Sequence, residues 1–178
     1  LTSPTGTGMN VVVLQLDGTF DHSRTFDTHN SFGASDDLVA FLDAIVPGTP
    51  ILIAARDDAR ARLHASARGA IGRCGATLID GLHYRASYVL ISVKGGAKLA
   101  EVLHPENGGA AEASVIFEAA TTTATTTSLS LPTGAVSIRV KSEGYGGGSS
   151  GLAEFYLNDQ RHFVPSGRGL NVLVLSHE

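Results

Sequence analysis

Short apolar runs separated by turn residues dominate the chain, and this pattern is typical of β-strands. In the first two thirds of the chain, the predicted strands are residues 10–16, 19–26, 50–55, 78–79, 88–93 and 114–117. Toward the C-terminus every predicted element is a strand, namely residues 135–140, 152–157, 161–164 and 170–175. Asp17-Gly18 predicts a two-residue hairpin loop between the first two strands, and Asn158-Asp159 predicts a turn between two later ones.

Two segments instead place apolar residues at helical spacing. The first is predicted to begin with Ser35 as its N-cap, followed by an acidic first turn. The second is predicted to begin at Asp57-Asp58 and to end at Gly75. The two apolar faces consist of Leu38, Phe41, Leu42 and Ile45, and of Leu63, Ala67, Ala70, Ile71 and Cys74. Because strands outnumber helices and hairpins connect them, the pattern predicts a mixed α/β (α+β) fold dominated by antiparallel pairing.

Composition limits the possible function classes. The 178 residues are 43% apolar and 17% charged, which is sufficient for a sizeable core and argues against disorder. The net charge is −4 and the basic residues are scattered, so a nucleic-acid binder is disfavoured. No apolar run approaches the ~20 residues that a membrane span needs. A single cysteine, Cys74, excludes an internal disulfide framework and every multi-cysteine metal motif.

The chain repeats its own opening segment. Residues 4–14 and 165–175 are identical at seven of eleven positions, with an offset of 161 residues. Two valine-rich strands explain the shared Val and Leu, but not the shared Pro, Asn and two Gly. The repeat predicts that the chain holds one period of about 161 residues plus the opening strand of the next, either from a tandem array or in permuted order.

Most motif-like features have an ordinary structural interpretation. Residues 146–151 match G-x-G-x-x-G, but a strand rather than a helix is predicted to follow, which favours a hairpin loop over a phosphate site. Residues 21–29 are rich in possible metal ligands, yet their alternation favours a solvated hairpin face. H-E-x-x-H and Walker patterns do not occur in the sequence.

Charged residues interrupt two apolar stretches and are the best candidates for binding. Arg56 and Asp57 directly follow the run 51–55, and Arg85 stands beside Tyr84 ahead of another apolar strand. An Arg and an Asp next to aromatic rings suit a neutral sugar, because the charged groups pair with hydroxyls and the rings stack on apolar sugar faces. The alternative from spacing alone is an Arg–Asp pair that braces the edge of a sheet.

Several motifs together resemble the interleukin-like EMT inducer (ILEI, PANDER-like) domain, a lectin-like family. They are residues 24–28 (RTFDT), 38–58 (LVAFLDAIVPGTPILIAARDD), 75–95 (GATLIDGLHYRASYVLISVKG) and 169–175 (GLNVLVL). The resemblance covers residues 8–95, and residues 135–175 are similar to the strands that normally begin this domain. Family members include secreted cytokine-like proteins, cell-surface hyaluronan-processing proteins and the stem of a protein O-mannose N-acetylglucosaminyltransferase.

The resemblance implies two mainly antiparallel β-sheets with about two flanking helices, and a non-catalytic role. In the glycosyltransferase stem three side chains hold the sugar, and the matching positions in this sequence are Arg168, Asp57 and Arg85. The first copy of the Gly-x-Gly turn has Thr7 in place of Arg168, which implies a deficient site there. Two features depart from the family: one cysteine cannot form the disulfides of the secreted members, and residues 84–88 differ from the usual Arg-Asp-Ser/Thr-Trp pattern.

The resemblance also implies a domain organisation. Residues 1–118 are the main part of one ILEI-like domain, residues 119–128 are a Thr-rich linker, and residues 129–178 supply the N-terminal strands of a second, permuted or swapped copy. The linker fits both an O-glycosylated spacer and an extended β segment. Because residues 1–118 alone would leave sheet edges unpaired, we expect the C-terminal strands to pair with them, within one chain or between neighbouring copies.

These features predict a glycan-binding or structural module of an extracellular or cell-surface tandem-repeat protein. Its expected partners are glycans or glycoproteins and neighbouring copies of the module, without a cofactor, a metal, nucleic acid or direct membrane insertion. The alternative is a secreted, cytokine-like signalling domain that binds a protein receptor. An enzyme is disfavoured, because the adjacent Asp57 and Asp58 cannot flank a substrate as two-carboxylate hydrolases require.

Overall fold

A computed structural model describes residues 6–118, 135–143 and 153–161 of the chain. These residues form nine strands, two α-helices and one 3₁₀ turn. In chain order the elements are β1 (Gly8–Leu14), β2 (Phe20–Phe26), α1 (Ala34–Ala44), β3 (Pro50–Arg56), α2 (Ala65–Arg73), the 3₁₀ turn (Ile79–Gly81), β4 (Ser87–Val93), β5 (Lys98–His104), β6 (Ala111–Glu118), β7 (Ala135–Ser142), β8 (Ala153–Leu157) and β9 (Gln160–Arg161).

The strands form two sheets, and all pairings within the described part of the chain are antiparallel. The first sheet has five strands in the order β2-β1-β3-β4-β5, and the second has four in the order β6-β7-β8-β9. Two antiparallel sheets with two helices confirm the predicted fold class. The two α-helices contain eleven and nine residues, and no helix in the described ranges is long and apolar enough to cross a membrane.

The five-stranded sheet is the middle layer of three. Along β1 the side chains alternate, so that Met9, Val11 and Val13 join the core beneath the helices while Val12 and Leu14 join the core beneath the second sheet. Because both faces of this sheet are covered, its central strands are apolar almost throughout. The helices bury Leu38, Leu42, Ala67, Ala70 and Ile71, as their spacing predicts, and Leu63 and Cys74, which flank α2, are buried as well.

The loop between β1 and β2 is longer than predicted. Leu14 pairs with Phe20, so five residues connect the strands instead of Asp17-Gly18 alone. The Asp17 carboxylate accepts hydrogen bonds from the backbone N–H and the hydroxyl of Thr19, at 2.9 and 2.6 Å. A turn built on an aspartate side chain therefore replaces the tight two-residue turn.

The predicted cap of the first helix is wrong. α1 begins at Ala34 with Gly33 at its N-cap, and Ser35 is buried inside the first turn. The Ser35 hydroxyl donates to the carbonyl of Arg62 at 2.5 Å and accepts from the backbone N–H of His64 at 3.0 Å. Ser35 thus ties the start of α1 to the loop before α2, a long-range contact that local sequence does not reveal.

The second helix begins later than predicted. Asp57 has φ 57°, in the left-handed region, so a helix cannot start there, and α2 begins at Ala65. The loop between β3 and α2 packs on the loop that follows β2. The Arg62 N–H donates to the Thr28 carbonyl at 2.6 Å, and the Thr28 hydroxyl donates to the Ala59 carbonyl at 2.8 Å.

Two further differences concern the region around β4. β5 has no counterpart among the predicted strands, because its edge position leaves its residues exposed or half-buried and its sequence mixes charged with apolar residues. The residues predicted as a strand at 78–79 instead lead into the 3₁₀ turn. The Arg68 guanidinium holds that turn by donating to the carbonyls of Ile79 and Leu82.

Strands β7 to β9 join β6 in the second sheet within this chain. β7 pairs with β6 along eight residues, from Ala111 opposite Ser142 to Glu118 opposite Ala135. At its end the buried Ser142 hydroxyl donates to the Ala55 carbonyl at 2.5 Å and accepts from the Tyr88 N–H at 3.1 Å. One side chain of the second sheet therefore satisfies backbone groups of β3 and β4 in the first.

We expect Ser142→Ala to lower the free energy of unfolding by about 2–3 kcal/mol, because a buried N–H and a buried carbonyl lose their partner. Urea unfolding of the chain measures this. Ser114→Ala is the matched control, because Ser114 is exposed on the outer face of the same sheet and its loss is expected to cost less than about 0.5 kcal/mol. Equal effects of the two substitutions would contradict the role of Ser142.

Several predicted features lie outside the described residues. They are the linker 119–128, the glycine-rich loop 146–151, Arg168 and the second copy of the repeat at 165–175.

Candidate functional site

Termini of all five strands lie at one end of the five-stranded sheet, where the end of β5 at His104 pairs with the start of β4 at Ser87. β1 and β4 begin there, while β2 and β3 end there, with Gly8 paired to Arg56 and Met9 to Phe26. Asp57 directly follows β3, and Arg85 stands two residues before β4, so neighbouring strands bring both residues to this end. This end of the five-stranded sheet is called the Asp57 end.

The first Gly-x-Gly turn also lies at the Asp57 end, because it runs directly into β1. Asn10 holds this turn: its side-chain N–H groups donate to the carbonyls of Gly6 and Gly8 at 3.0 and 3.2 Å, and its side-chain oxygen accepts from the Gly6 N–H at 3.0 Å. Thr7 lies between the two glycines. The second copy of the turn repeats both glycines and the asparagine around Arg168, which is outside the described residues.

Asp57 and Arg85 share an unusual backbone conformation. Their φ angles are 57° and 52°, in the left-handed region that L-residues with a side chain rarely adopt. The other residues of this kind in the described ranges are Asn107, Asn158 and Asp159, types that tolerate this conformation in turns. An arginine in this conformation costs about 1–2 kcal/mol. The fold therefore holds Arg85 in a strained position beside Asp57, and strained residues concentrate at functional sites.

The Arg85 side chain lies between an aromatic ring and an acid. Its guanidinium carbon is 4.7 Å from the ring centroid of Tyr84, and its Nη1 is 3.9 Å from a carboxylate oxygen of Glu106. The latter distance is too long for a hydrogen bond, so the attraction to Glu106 is Coulombic. The Arg85 side chain is 32% exposed and Tyr84 is 46% exposed, so both are accessible to a ligand.

Arg56 adds a further cation at the end of β3. Burial lowers the pKa of this half-buried guanidinium, and the neighbouring Asp57 carboxylate opposes that shift. Arg56, Asp57 and Arg85 thus place alternating charges along the ends of two adjacent strands.

The two adjacent acids have different environments. The Asp58 side chain is only 6% exposed; it accepts from the Arg60 N–H at 3.0 Å and lies 3.2 Å from Nδ1 of His29. Asp57 is half-buried at the strand end. Asp58 therefore fixes the loop, while Asp57 remains available for a ligand. The His29–Asp58 pair was not predicted, because it joins residues 29 positions apart and His29 lies beyond the end of β2.

Two other candidates, the Cys74 thiol and the possible metal ligands, are not supported by the described part of the structure. Cys74 is fully buried and burial raises the pKa of its thiol, which agrees with the buried thiol predicted from its helix face. Its sulfur is 3.9 Å from Nζ of Lys94, which donates at 2.8 Å to the Leu42 carbonyl at the end of α1. No cluster of three or more His, Cys, Asp or Glu residues with metal-site geometry occurs among residues 6–118, 135–143 and 153–161.

Two adjoining clefts lie at the opposite end of the same sheet, about 23 Å from the Asp57 end by strand length. Their volumes are about 480 and 200 Å³, and both are lined by Asp21 and Thr49. Leu14 and Leu16 belong to the larger cleft, and Phe41 to the smaller. Their apolar lining differs in chemistry from the alternating charges at the Asp57 end.

Comparison with known proteins covers the part of the chain that contains Asp57 and Arg85. A family model described as "Interleukin-like EMT inducer" matches residues 7–96, from the first Gly-x-Gly turn to just past β4. The chain is 33% identical over 92 residues to the "Cell migration-inducing and hyaluronan-binding protein" of Mus musculus. Those residues make up 52% of this chain and 7% of that relative, so the chain corresponds to a small part of the relative's length.

Proposed function

The chain belongs to the interleukin-like EMT inducer family, and from this premise we propose that it is a non-catalytic glycan-binding module of an extracellular or cell-surface protein. The observation that carries the proposal is the pair Asp57 and Arg85, held in left-handed backbone conformations on neighbouring strand ends. These are two of the three positions at which the family resemblance implies sugar contacts.

The chemistry of the Asp57 end suits a carbohydrate. A carboxylate accepts hydrogen bonds from adjacent sugar hydroxyls, and a guanidinium donates to their oxygens, each in charge-assisted form. Tyr84 presents an exposed ring beside Arg85, on which an apolar sugar face can stack. The name of the mouse relative, which includes hyaluronan binding, supports the choice of a glycan as ligand.

The non-catalytic part of the proposal is supported by the two adjacent acids. Glycoside hydrolysis uses two carboxyl groups on opposite sides of the scissile bond. Asp58 is turned into the loop, where it is bound to the Arg60 N–H and to His29, and does not oppose Asp57 across a ligand. Asp57 thus acts in recognition alone.

The repeat supports a place for this module in a tandem array. The second Gly-x-Gly turn carries Arg168 where the first carries Thr7, and it is followed by the same Asn and strand residues. In the proposed array, the Arg168 turn supplies the third sugar contact for a site whose other two contacts correspond to Asp57 and Arg85. Neighbouring copies of the module are then the protein partners.

Binding to a panel of immobilised glycans that includes hyaluronan tests the proposal. We expect specific binding of at least one glycan, and about 10-fold weaker binding by Asp57→Asn, because a neutral amide replaces charge-assisted hydrogen bonds. Asparagine tolerates the left-handed backbone, so the fold is retained. Asp21→Asn, an exposed acid at the opposite end, is the matched control and should bind as the unaltered chain does. No glycan binding, or equal binding by Asp57→Asn, would overturn the proposal.

A further inference from the structure

A second arginine–aromatic pair lies on the other side of Asp57. The Arg62 guanidinium carbon is 3.9 Å from the ring centroid of Phe32, and Phe32 is 71% exposed. The cation therefore covers one face of the ring and leaves the rest of it open to solvent. An exposed ring supported from behind by a cation matches the Tyr84–Arg85 pair in chemistry.

The Phe32–Arg62 pair is held by several backbone contacts. The Arg62 N–H donates to the Thr28 carbonyl at 2.6 Å, and the Arg62 carbonyl accepts from the Ser35 hydroxyl at 2.5 Å. Because Thr28 and Ser35 lie on either side of Phe32 in the chain, the segment that carries the ring is fixed at both ends. Phe32 is thus a positioned platform rather than a side chain on a loose loop.

Both pairs lie at the Asp57 end. Phe32 follows β2, Arg62 follows β3, and Tyr84 and Arg85 precede β4. The strands β2, β1, β3 and β4 are consecutive in the sheet. The ends of β2 and β4 are therefore three strand spacings apart, about 14 Å, which is longer than one sugar ring. Asp57 follows β3, which lies between β2 and β4 in the sheet.

We propose that Phe32 and Arg62 form a second sugar subsite, so that the Asp57 end binds an oligosaccharide of more than one residue rather than a terminal sugar. This inference rests on the glycan-binding function proposed above. One sugar is held by Asp57, Arg85 and Tyr84, and a further sugar along the same chain stacks on the open face of Phe32. His29 belongs to the same loop after β2 as Phe32; its Nδ1 faces Asp58 and its side chain is 38% exposed.

Binding of size-fractionated hyaluronan fragments, from the disaccharide upward, tests the second subsite by calorimetry. We expect affinity to rise with length until both platforms are covered. Phe32→Ala should weaken binding of the longer fragments about 10-fold and leave the shortest bound fragment unchanged, because only long fragments reach the ring. Phe32→Tyr keeps the ring and should restore the affinity for long fragments.

The controls separate this inference from the function on which it rests. Val46→Ala removes an equally exposed apolar side chain at the opposite end of the sheet and should change no affinity. Affinity that does not depend on length, with no effect of Phe32→Ala, would overturn the second subsite and leave the first intact. Absence of hyaluronan binding at every length by the unaltered chain would overturn the second subsite, whereas the glycan panel alone decides the function on which it rests.

Discussion

Replacing Arg85 by glycine is expected to lower the affinity for the glycan about 100-fold. The free energy of unfolding is not expected to fall. The binding loss follows because the proposed charge-assisted hydrogen bonds of the guanidinium to the glycan and the cation beside Tyr84 disappear. The stability expectation follows from the left-handed backbone at Arg85, since glycine adopts this conformation without steric cost. The free energy of unfolding should stay constant or rise by up to about 1 kcal/mol.

This substitution separates a binding role for Arg85 from a bracing role. If Arg85 braces the sheet end through Glu106 and Tyr84, Arg85→Gly should lower the free energy of unfolding and affect binding only through unfolding. Asn107→Gly is the matched control, because Asn107 is also left-handed, with φ 61°, in the loop between β5 and β6. It should bind glycans as the unaltered chain does. Thermal unfolding and glycan titration of both variants provide the comparison.

Replacing Glu101 by glutamine is expected to lower the free energy of unfolding by about 3 kcal/mol. The Glu101 side chain is 1% exposed, and its carboxylate accepts from the N–H groups of Thr77 and Leu78, the hydroxyl of Tyr88 and Nζ of Lys98, all near 3 Å. In Glu101→Gln the side-chain NH₂ is a hydrogen-bond donor that faces these donors, so at least one of the hydrogen bonds is lost. Glu101 thereby fastens the segment after α2 to β4 and β5.

Glu101 also predicts a pH dependence of stability. Burial raises the pKa of this carboxyl, but hydrogen bonds from Thr77, Leu78, Lys98 and Tyr88 outweigh burial and leave the pKa below its ordinary value of 4.5. Because the folded pKa is lower than the unfolded one, the stabilisation is fully present above pH 4.5 and is lost as the pH falls through the folded pKa. Urea unfolding at several acidic pH values measures this loss.

Two comparisons decide the origin of that acid sensitivity. In Glu101→Gln the decline between pH 4.5 and lower pH should be smaller than in the unaltered chain. Glu112→Gln, which removes an exposed carboxylate paired with Arg139, should change stability by less than about 0.5 kcal/mol and leave the acid decline in place. An acid decline that persists unchanged in Glu101→Gln would contradict the assignment.

The central strands could be predicted from the sequence because burial on both faces gives them continuous apolar runs. β1, β3 and β4 appear close to their observed bounds for this reason. β5 could not be predicted, since it is an edge strand that mixes charged with apolar residues, and the partners of Lys98 and Glu101 in the segment after α2 are visible only in the structure. The predicted start of α2 was wrong because Asp57 adopts a left-handed backbone conformation. Local helix propensity does not reveal this conformation.

The candidate site was predictable in part. Two sequence signals indicate Asp57 and Arg85: the family resemblance, and their positions next to apolar runs. Their shared left-handed backbone conformation is visible only in the structure. The Phe32–Arg62 pair has no sequence signal, because thirty positions separate the two residues and their contact depends on how the loops after β2 and β3 pack. Contacts of this kind follow from sheet register rather than from spacing along the chain.

A titration of the isotope-labelled chain with the best-bound glycan of the panel, followed through backbone amide chemical shifts, locates the glycan site residue by residue. The largest changes are expected at residues 56–58 and 84–87, with smaller changes around Phe32. Changes confined to the clefts around Leu14 and Thr49, or to the outer face of β6–β9, would contradict a glycan site at the Asp57 end.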